Sequence, residues 1–575
     1  MQTTLGLAAV SLAFIHHGFS QSPTPASTAP APPAIYGLWL MGQSLCDGSE
    51  SLPLVTTAPS TWGNLSFRRG VRTWVHGDNA ATPELRPAGD FAFVPLQASA
   101  NGALGETVAN GLADHLTAAS RARATGPSST ATGGPYLVAY AGQGGRQIQE
   151  LSQADLSTDS RTPESRRHGG GYYRTSLDDA RRAVVSAKSQ GASFSISALY
   201  WMQGEANGGP TGGINPTRWD DEMKRPAGQE WYAGELMKYR RQWSADLCAI
   251  TGQQEEIPMF TYQTLGPAGE AQLLAAARDE HITMVGPHYA VPSAINSRRP
   301  VKQHGDAIHL SADGERWWGE QVGKVMHRVL HEQEPWQPLR PVKAMLEPDR
   351  TSILLDFHVP RPPLVLDETF LPTQEIASGK NFVALKGFRV RGGTGALLTA
   401  VETAGPTTVR LHLASPVPAG EKLTVDYGHS QAAQIGSIVA LHKGPDSDGQ
   451  GTQELVITGS LASKLKLLTD EGAFFASNQE SGTAYARAPI RHVFEENGTT
   501  VLRFETRELR NGVNFAVGQS LVSMRPFSYG NLHDSDPGKS IYTFGDASYG
   551  TRAGQPYPLW NWCVLFSDLR VEEGE

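Results

Sequence analysis

Between residues 35 and about 335, short apolar runs alternate with longer stretches in which apolar residues recur at helical spacing. Ile35–Met41, Tyr136–Tyr140, Phe194–Trp201 and Ile257–Tyr262 have strand length and strand-like apolar and aromatic content. Helical periodicity predicts helices over about 175–189, 231–249, 267–279 and 312–332. In the last of these, Trp317, Trp318, Val322, Val325, Met326, Val329 and Leu330 line one broad apolar face. Strands alternating with helices predict an α/β domain over 35–335, a parallel sheet covered by helices. Such sheets place their chemistry in the loops at the carboxyl ends of the strands.

From about 340 the pattern changes. Ser352–Val359, Thr408–Leu413 and Leu423–Tyr427 read as strands separated by Pro/Gly turns, with no long amphipathic helix through 340–445. Pro335–Pro341 reads as a linker, residues 342–445 as a β-sandwich-like domain, and Asp446–Gly451 as a second boundary. Residues 452–575 form a further β-rich region, with strands expected at Val501–Glu505 and Cys563–Phe566. The aromatic and amide residues of 527–534 and 557–563 suit either a sugar-binding surface or a packed seam, and packing is the preferred reading. The expected class is therefore α/β followed by all-β domains, and no solenoid or propeller repeat is visible.

The amino terminus is different again. The apolar run over residues 4–15 has signal-peptide length and is too short to span a bilayer, although no Lys or Arg precedes it. Residues 1–20 read as a signal peptide, with a frayed helix as the other reading. Residues 21–34 (QSPTPASTAPAPPA) read as a stiff, exposed spacer. Together they predict a secreted or periplasmic protein. No other apolar run reaches membrane-spanning length.

Composition narrows the remaining classes. At about 150 residues per domain, 575 residues leave room for three or four domains, more than one catalytic unit needs. A net charge of −8 argues against a broad nucleic-acid footprint. Cys46, Cys248 and Cys563 are too few and too scattered for a disulfide scaffold, and no Cys-x-x-Cys pair suggests zinc. Asn64-Leu-Ser66 and Asn497-Gly-Thr499 match the glycosylation triplet, a pattern common by chance.

Four loops carry the candidate chemistry. Gly42-Gln43-Ser44-Leu45 follows the first strand and can present a hydroxyl at the start of a helix. Gly144-Gly145-Arg146 follows the second, where paired glycines allow close backbone approach. Trp201-Met-Gln203-Gly204-Glu205 ends the third strand, and Asp306-Ala-Ile-His309 precedes the last helix. Taken singly, each has a structural explanation: Ser44 as a helix cap, Gly144-Gly145 as a tight turn, Gln203 as a partner for buried backbone, His309 as a core histidine. Their joint placement at strand ends is what points to a site.

These blocks, in this order, resemble the SGNH hydrolase superfamily, specifically its sialate O-acetylesterase-like carbohydrate esterases. The likeness covers roughly 300 residues and implies a flavodoxin-like three-layer domain over 35–335. It implies Ser44 as nucleophile, His309 as general base and then acid, and Asp306 as the group that orients His309. It implies an oxyanion hole from the Ser44 N–H, the Gly144 or Gly145 N–H and the Gln203 amide, with Gln43 and Glu205 in support. Leu45 departs from the family's usual Asn. Arg146 stands beside the glycines, where contact with substrate and a solvated turn are equal readings. The implied substrate partner is an acetylated carbohydrate, with glycan contact through the C-terminal β domains and with no cofactor, metal, nucleic acid or membrane span. Competing readings are metal ligation by His304, Asp306 and His309, a non-catalytic glycan-binding module, and a lipolytic enzyme or thioesterase of the same superfamily. A closed structural metal site usually has four ligands, and no fourth is evident. Trp62, Trp74 and Trp201 suit stacking on sugars or simple core packing.

Overall fold

The computed structural model describes residues 33–74, 85–102, 104–123, 133–153, 171–208, 228–294, 308–371, 373–378, 380–392, 396–428, 433–444, 451–462, 474–477, 487–489, 492–506, 509, 514–524, 529–545 and 552–574. The expected signal peptide, nearly all of the spacer, and residues 446–450 of the second boundary lie outside them.

One sheet organises the amino-terminal half. Its strands are β1 (Ala34–Gly42), β2 (Leu65–Phe67), β3 (Phe93–Pro95), β4 (Tyr136–Gly142), β5 (Ser193–Met202), β6 (Met259–Gln263) and β7 (Ile282–Pro287), in the order β3-β2-β4-β1-β5-β6-β7. All neighbours are parallel except β2 and β3. The helices are α1 (Ser44–Asp47), α2 (Val108–Arg123), α3 (Ile148–Leu151), α4 (Gly171–Ser189), α5 (Glu205–Gly208), α6 (Gly228–Thr251), α7 (Pro267–Arg278) and α8 (Ala312–Leu330). Alternation along β1 divides the core. Leu38 and Leu40 join α2 and α8 in one cluster, while Trp39 and Met41 join α4, α6 and α7 in the other. Helices on both faces explain why the central strands read as continuous apolar runs.

The four strands and four helices anticipated from periodicity are present with shifted ends. Strands β2, β3 and β7 and helix α2 are additional. Helix α2 (VANGLADHLTAASRAR) has a weak apolar pattern because its packed face is largely Ala and Gly. A Cβ at Gly111 of α2 would lie 2.0 Å from the Arg316 carbonyl oxygen of α8. A Cβ at Gly319 would lie 2.2 Å from that of Val108, and one at Gly323 2.6 Å from that of Leu112. The two backbones touch, and side chains there would separate them.

The polar face of α8 is buried too. Arg316 donates to the Tyr557 hydroxyl at 3.1 and 2.8 Å, and the Trp317 indole stacks on Tyr557 with ring centres 5.4 Å apart. Glu320 accepts from the N–H groups of Ile541 and Tyr542 at 2.6 and 2.9 Å. Lys324 donates to Asp536 at 2.9 Å and to Asn561 at 2.8 Å. The aromatic stretch 557–563 is thus packed against α8: Tyr557 is buried, and Trp560 stacks on His533 with centroids 4.3 Å apart.

Where sequence suggested a sandwich over 342–445, the chain forms an eight-stranded barrel. Around it run strands Asn381–Leu385, Phe388–Arg391, Thr424–Tyr427, Phe566–Glu573, Arg340–Leu346, Ser352–His358, Thr408–Leu413 and Leu398–Thr403. Pairing of Phe382 with Leu398 closes the ring. The last strand begins at Phe566, where the expected strand Cys563–Phe566 would end, and pairs in parallel with Arg340–Leu346. It also pairs antiparallel with Thr424–Tyr427, so residues from 342–445 and from 452–575 share one barrel core. A separate seven-stranded antiparallel sheet lies between residues 433 and 524, and its hairpin Ala433–Gly444/Thr452–Thr458 spans the expected second boundary. Among the described residues no helix is long and apolar enough to cross a membrane. The three cysteines are unpaired with one another.

Cutting the chain after residue 340 would expose the polar face of α8 and remove the aromatic partners of Trp317. We expect such a fragment to lose the cooperative thermal transition of the full chain in far-UV circular dichroism. A full-chain-like melt would contradict this packing account.

Candidate active site

The carboxyl edge of the sheet gathers the loops that carry the candidate residues. Strand β1 runs straight into the Ser44 turn: Gln43 is extended (φ −110°, ψ −151°), and its carbonyl accepts from the N–H groups of Cys46 and Asp47 at 2.9 and 3.0 Å, which closes α1. The Gln43 N–H donates to the Met202 carbonyl at 3.1 Å, tying the turn to β5. A Cβ at Gly42 would sit 2.2 Å from that same carbonyl oxygen, so the sharp turn needs glycine. Ser44 is half-buried, whereas Leu45, Cys46 and Asp47 point into the protein. Leu45, where the resemblance would place Asn, is a core residue.

The loop after β4 lies against this turn. A Cβ at Gly144 would be 3.2 Å from the Ser44 Cβ and 3.4 Å from Asp47 Oδ2. The Gly144 N–H donates to Asp47 Oδ2 at 2.9 Å. Gly145 is exposed, left-handed at φ 72°, with open space where a side chain would begin. Gly144 therefore touches the candidate nucleophile, but its N–H is engaged by a carboxylate.

Gln203 is fully buried. Its Nε2 donates to Asn207 Oδ1 at 2.7 Å, the Arg146 carbonyl at 3.0 Å and Gln43 Oε1 at 3.3 Å, and its Oε1 accepts from the Tyr232 hydroxyl at 2.8 Å. Gln43 Oε1 also accepts from the Ala206 N–H at 3.1 Å. These amides join the loops after β1, β4 and β5 into one network. Glu205 accepts from the hydroxyls of Tyr262 and Thr264 and so fastens the β5 loop to β6. Arg146 pairs with Glu150 at 3.3 Å.

His309 is half-buried just ahead of α8, whose N-cap is Ser311, accepting from the Gly314 N–H at 3.0 Å. Its carbonyl accepts from the Ala294 N–H at 2.6 Å, and Ser293 bridges Leu310, so the loop after β7 positions it. Asp306 and His304 lie outside the described residues. Among those described, no cluster of three or more His, Cys, Asp or Glu is placed to hold a metal ion.

Asp47 is the site residue that sequence reasoning passed over. The signal available was its position three residues beyond Ser44, one helical turn on. Its Oδ1 accepts from the Ser49 N–H at 2.9 Å and hydroxyl at 2.6 Å. Arg72 donates to its carbonyl, and to that of Gly105, at 3.0 Å each. Burial pushes the Asp47 carboxyl up to about 6, against the pull of the Ser49 bonds, Arg72 and nearby His309. Behind it Glu315 is fully buried, with neither carboxyl oxygen hydrogen-bonded, and burial together with Asp47 and Glu106 pushes it well above the carboxylate range. A cavity of about 160 Å³ beside Asp47 and Gly144 is lined by Arg72, Trp74, Leu104, Tyr140 and Gln143. Of the three tryptophans considered for sugar stacking, Trp74 lines this cavity, Trp201 is core, and Trp62 lies under Arg121. Asn64 of the first glycosylation triplet is fully buried and donates to Asp114 at 2.8 Å.

No protein family model and no curated protein matches the chain. Among solved structures it is similar to a carbohydrate acetylesterase from Xanthomonas citri, with 15% identity and a TM-score of 0.41 over 68% of this chain and 75% of that one. It is also similar to NanS, at 16% identity and a TM-score of 0.32 over 52% of this chain and 99% of that one. A protein from Arabidopsis thaliana is similar at 12% identity and a TM-score of 0.29, over 52% and 100% of the two chains.

A carboxyl whose pKa is raised in the folded protein stabilises the fold while it holds its proton. That contribution is complete below the ordinary Asp value of 3.8 and is lost as pH rises through about 6. Asp47→Asn is therefore expected to raise the thermal midpoint at pH 8, by the equivalent of up to about 3 kcal/mol, and to leave it nearly unchanged at pH 4. Equal shifts at both pH values would contradict the assignment.

Proposed function

We propose that the protein is a serine esterase of SGNH type that removes O-acetyl groups from carbohydrates through an acetyl-Ser44 intermediate. The observation that carries this reading is the Ser44 turn itself. A half-buried serine at the carboxyl edge of a parallel sheet has glycine backbone packed beside its Cβ, and His309, on the loop ahead of α8, favours the ionised form of the neighbouring Asp47 carboxyl.

In this reading His309 takes the Ser44 proton as Oγ attacks the ester carbonyl, and Asp306 orients the imidazole. Collapse of the tetrahedral intermediate breaks the bond to the sugar oxygen, which leaves with the proton from His309. Water, activated by the same histidine, then releases acetate and restores Ser44. The oxyanion donors in this scheme are the N–H groups of Ser44 and Gly145. Gly144 and Gln203 have other partners and act by holding the loops. The composition of residues 1–34 supports a secreted or periplasmic setting, where acetylated polysaccharide is met. In this proposal the barrel and the sheet of 433–524 are accessory to one esterase unit over 35–335, with glycan contact as a further role.

Ser44→Ala and His309→Ala are each expected to lower kcat/KM for an aryl acetate by about a thousandfold or more, with unchanged circular dichroism. A Ser44→Ala protein that released acetate at the wild-type rate would overturn the proposal.

A further inference from the structure

Asp47 has no part in the scheme above, yet its carboxylate accepts from the N–H of Gly144, the glycine packed beside the Ser44 Cβ. Burying a carboxylate is unfavourable unless it is well hydrogen-bonded, and this one has three donors: the Gly144 N–H and the N–H and hydroxyl of Ser49. The charged and titratable groups facing it come from every surrounding element. They are Arg72 from the segment after β2, Tyr140 of β4, Glu315 of α8, His309 ahead of it, and Cys46 on α1 itself. Arg72 and His309 favour its ionised form, and burial opposes it. A group held near its titration point beside the nucleophile turn, at a cost to the fold at neutral pH, is what a functional carboxylate looks like.

We propose that Asp47 is a positioning residue of the esterase centre that acts through Gly144, its carboxylate locking the 142–145 turn against Ser44. The inference rests on the Ser44 esterase reading. An N–H bond to a carboxylate is roughly twice as strong as one to a neutral acceptor, so protonation of Asp47 loosens the turn. The ionised group also favours the imidazolium that forms on His309 when Ser44 attacks. Activity then requires two groups to be free of protons, His309 and Asp47.

The test is the pH dependence of kcat/KM for an aryl acetate in the full-length wild type, Asp47→Asn, Ser49→Ala and Ser44→Ala proteins. The wild-type acid limb should approach a slope of two. In Asp47→Asn it should fall to one, with kcat reduced about tenfold or more and KM changed less than about twofold. Ser49→Ala keeps the carboxylate but removes a bond that favours its ionised form, so one of the two steps should move to higher pH. Wild-type kcat and a slope of two in Asp47→Asn would overturn the inference, as would a Ser49→Ala profile superimposable on wild type. Activity that survives Ser44→Ala would instead overturn the esterase reading. Activity lost there, with an unaltered Asp47→Asn profile, would remove Asp47 alone.

Discussion

Helix α8 has almost no free surface, and much of the molecule follows from how that is achieved. Every residue from Ala312 to Gly323 is buried. On one side its backbone meets α2 through Gly111, Gly319 and Gly323, a contact that side chains would forbid. On the other, Asp313, Arg316, Glu320 and Gln321 are capped by partners from residues 541–561. A charged group buried in this way without a partner would cost several kcal/mol, and the one carboxyl here without a hydrogen bond, Glu315, is pushed by burial well above the carboxylate range and towards its neutral form. The segment of residues 536–561 is therefore bound to the α/β unit by the polar face of α8. After it the chain enters the barrel at Phe566, beside the strand Arg340–Leu346.

That arrangement bears directly on the candidate chemistry. His309 is two residues ahead of Ser311, the N-cap of α8, so the helix that the C-terminal segment braces also anchors the proposed base. The other loops are held by a different device: Gln203 donates to Gln43, Asn207 and the Arg146 carbonyl, linking three strand ends. Because these amides bond to one another, the loops meet as a unit around the half-buried serine, which is where the proposed oxyanion donors, the N–H groups of Ser44 and Gly145, would act. Pre-set donors of this kind are effective because they need no reorganisation as charge develops.

Much of this was legible in the chain, for physical reasons that differ by element. The buried parallel strands announce themselves because both faces are covered, leaving unbroken apolar runs such as Ile35–Met41. Helix α2 is silent because its contact face is glycine and alanine, which carry little hydropathy. The barrel looked like a sandwich because its closing strand lies more than a hundred residues beyond Tyr427, and local periodicity holds no information about such a partner. The Gly-Gln-Ser, Gly-Gly and Gln-Gly-Glu blocks could be found, and the structure brings their loops together. Which of their polar atoms face open space could not be found, because that depends on partners such as Asp47 and Tyr232 from outside each block.

The central claim is a covalent one, that an acyl group resides on Ser44 during turnover. Its most direct test is mass spectrometry of the intact protein quenched in acid during turnover of an aryl acetate, followed by peptide mapping. A mass gain of one acetyl group, localised to Ser44 and absent from protein that saw no substrate, is expected. Turnover with no acyl adduct in His309→Ala or wild-type protein, or an adduct confined to another side chain, would contradict it.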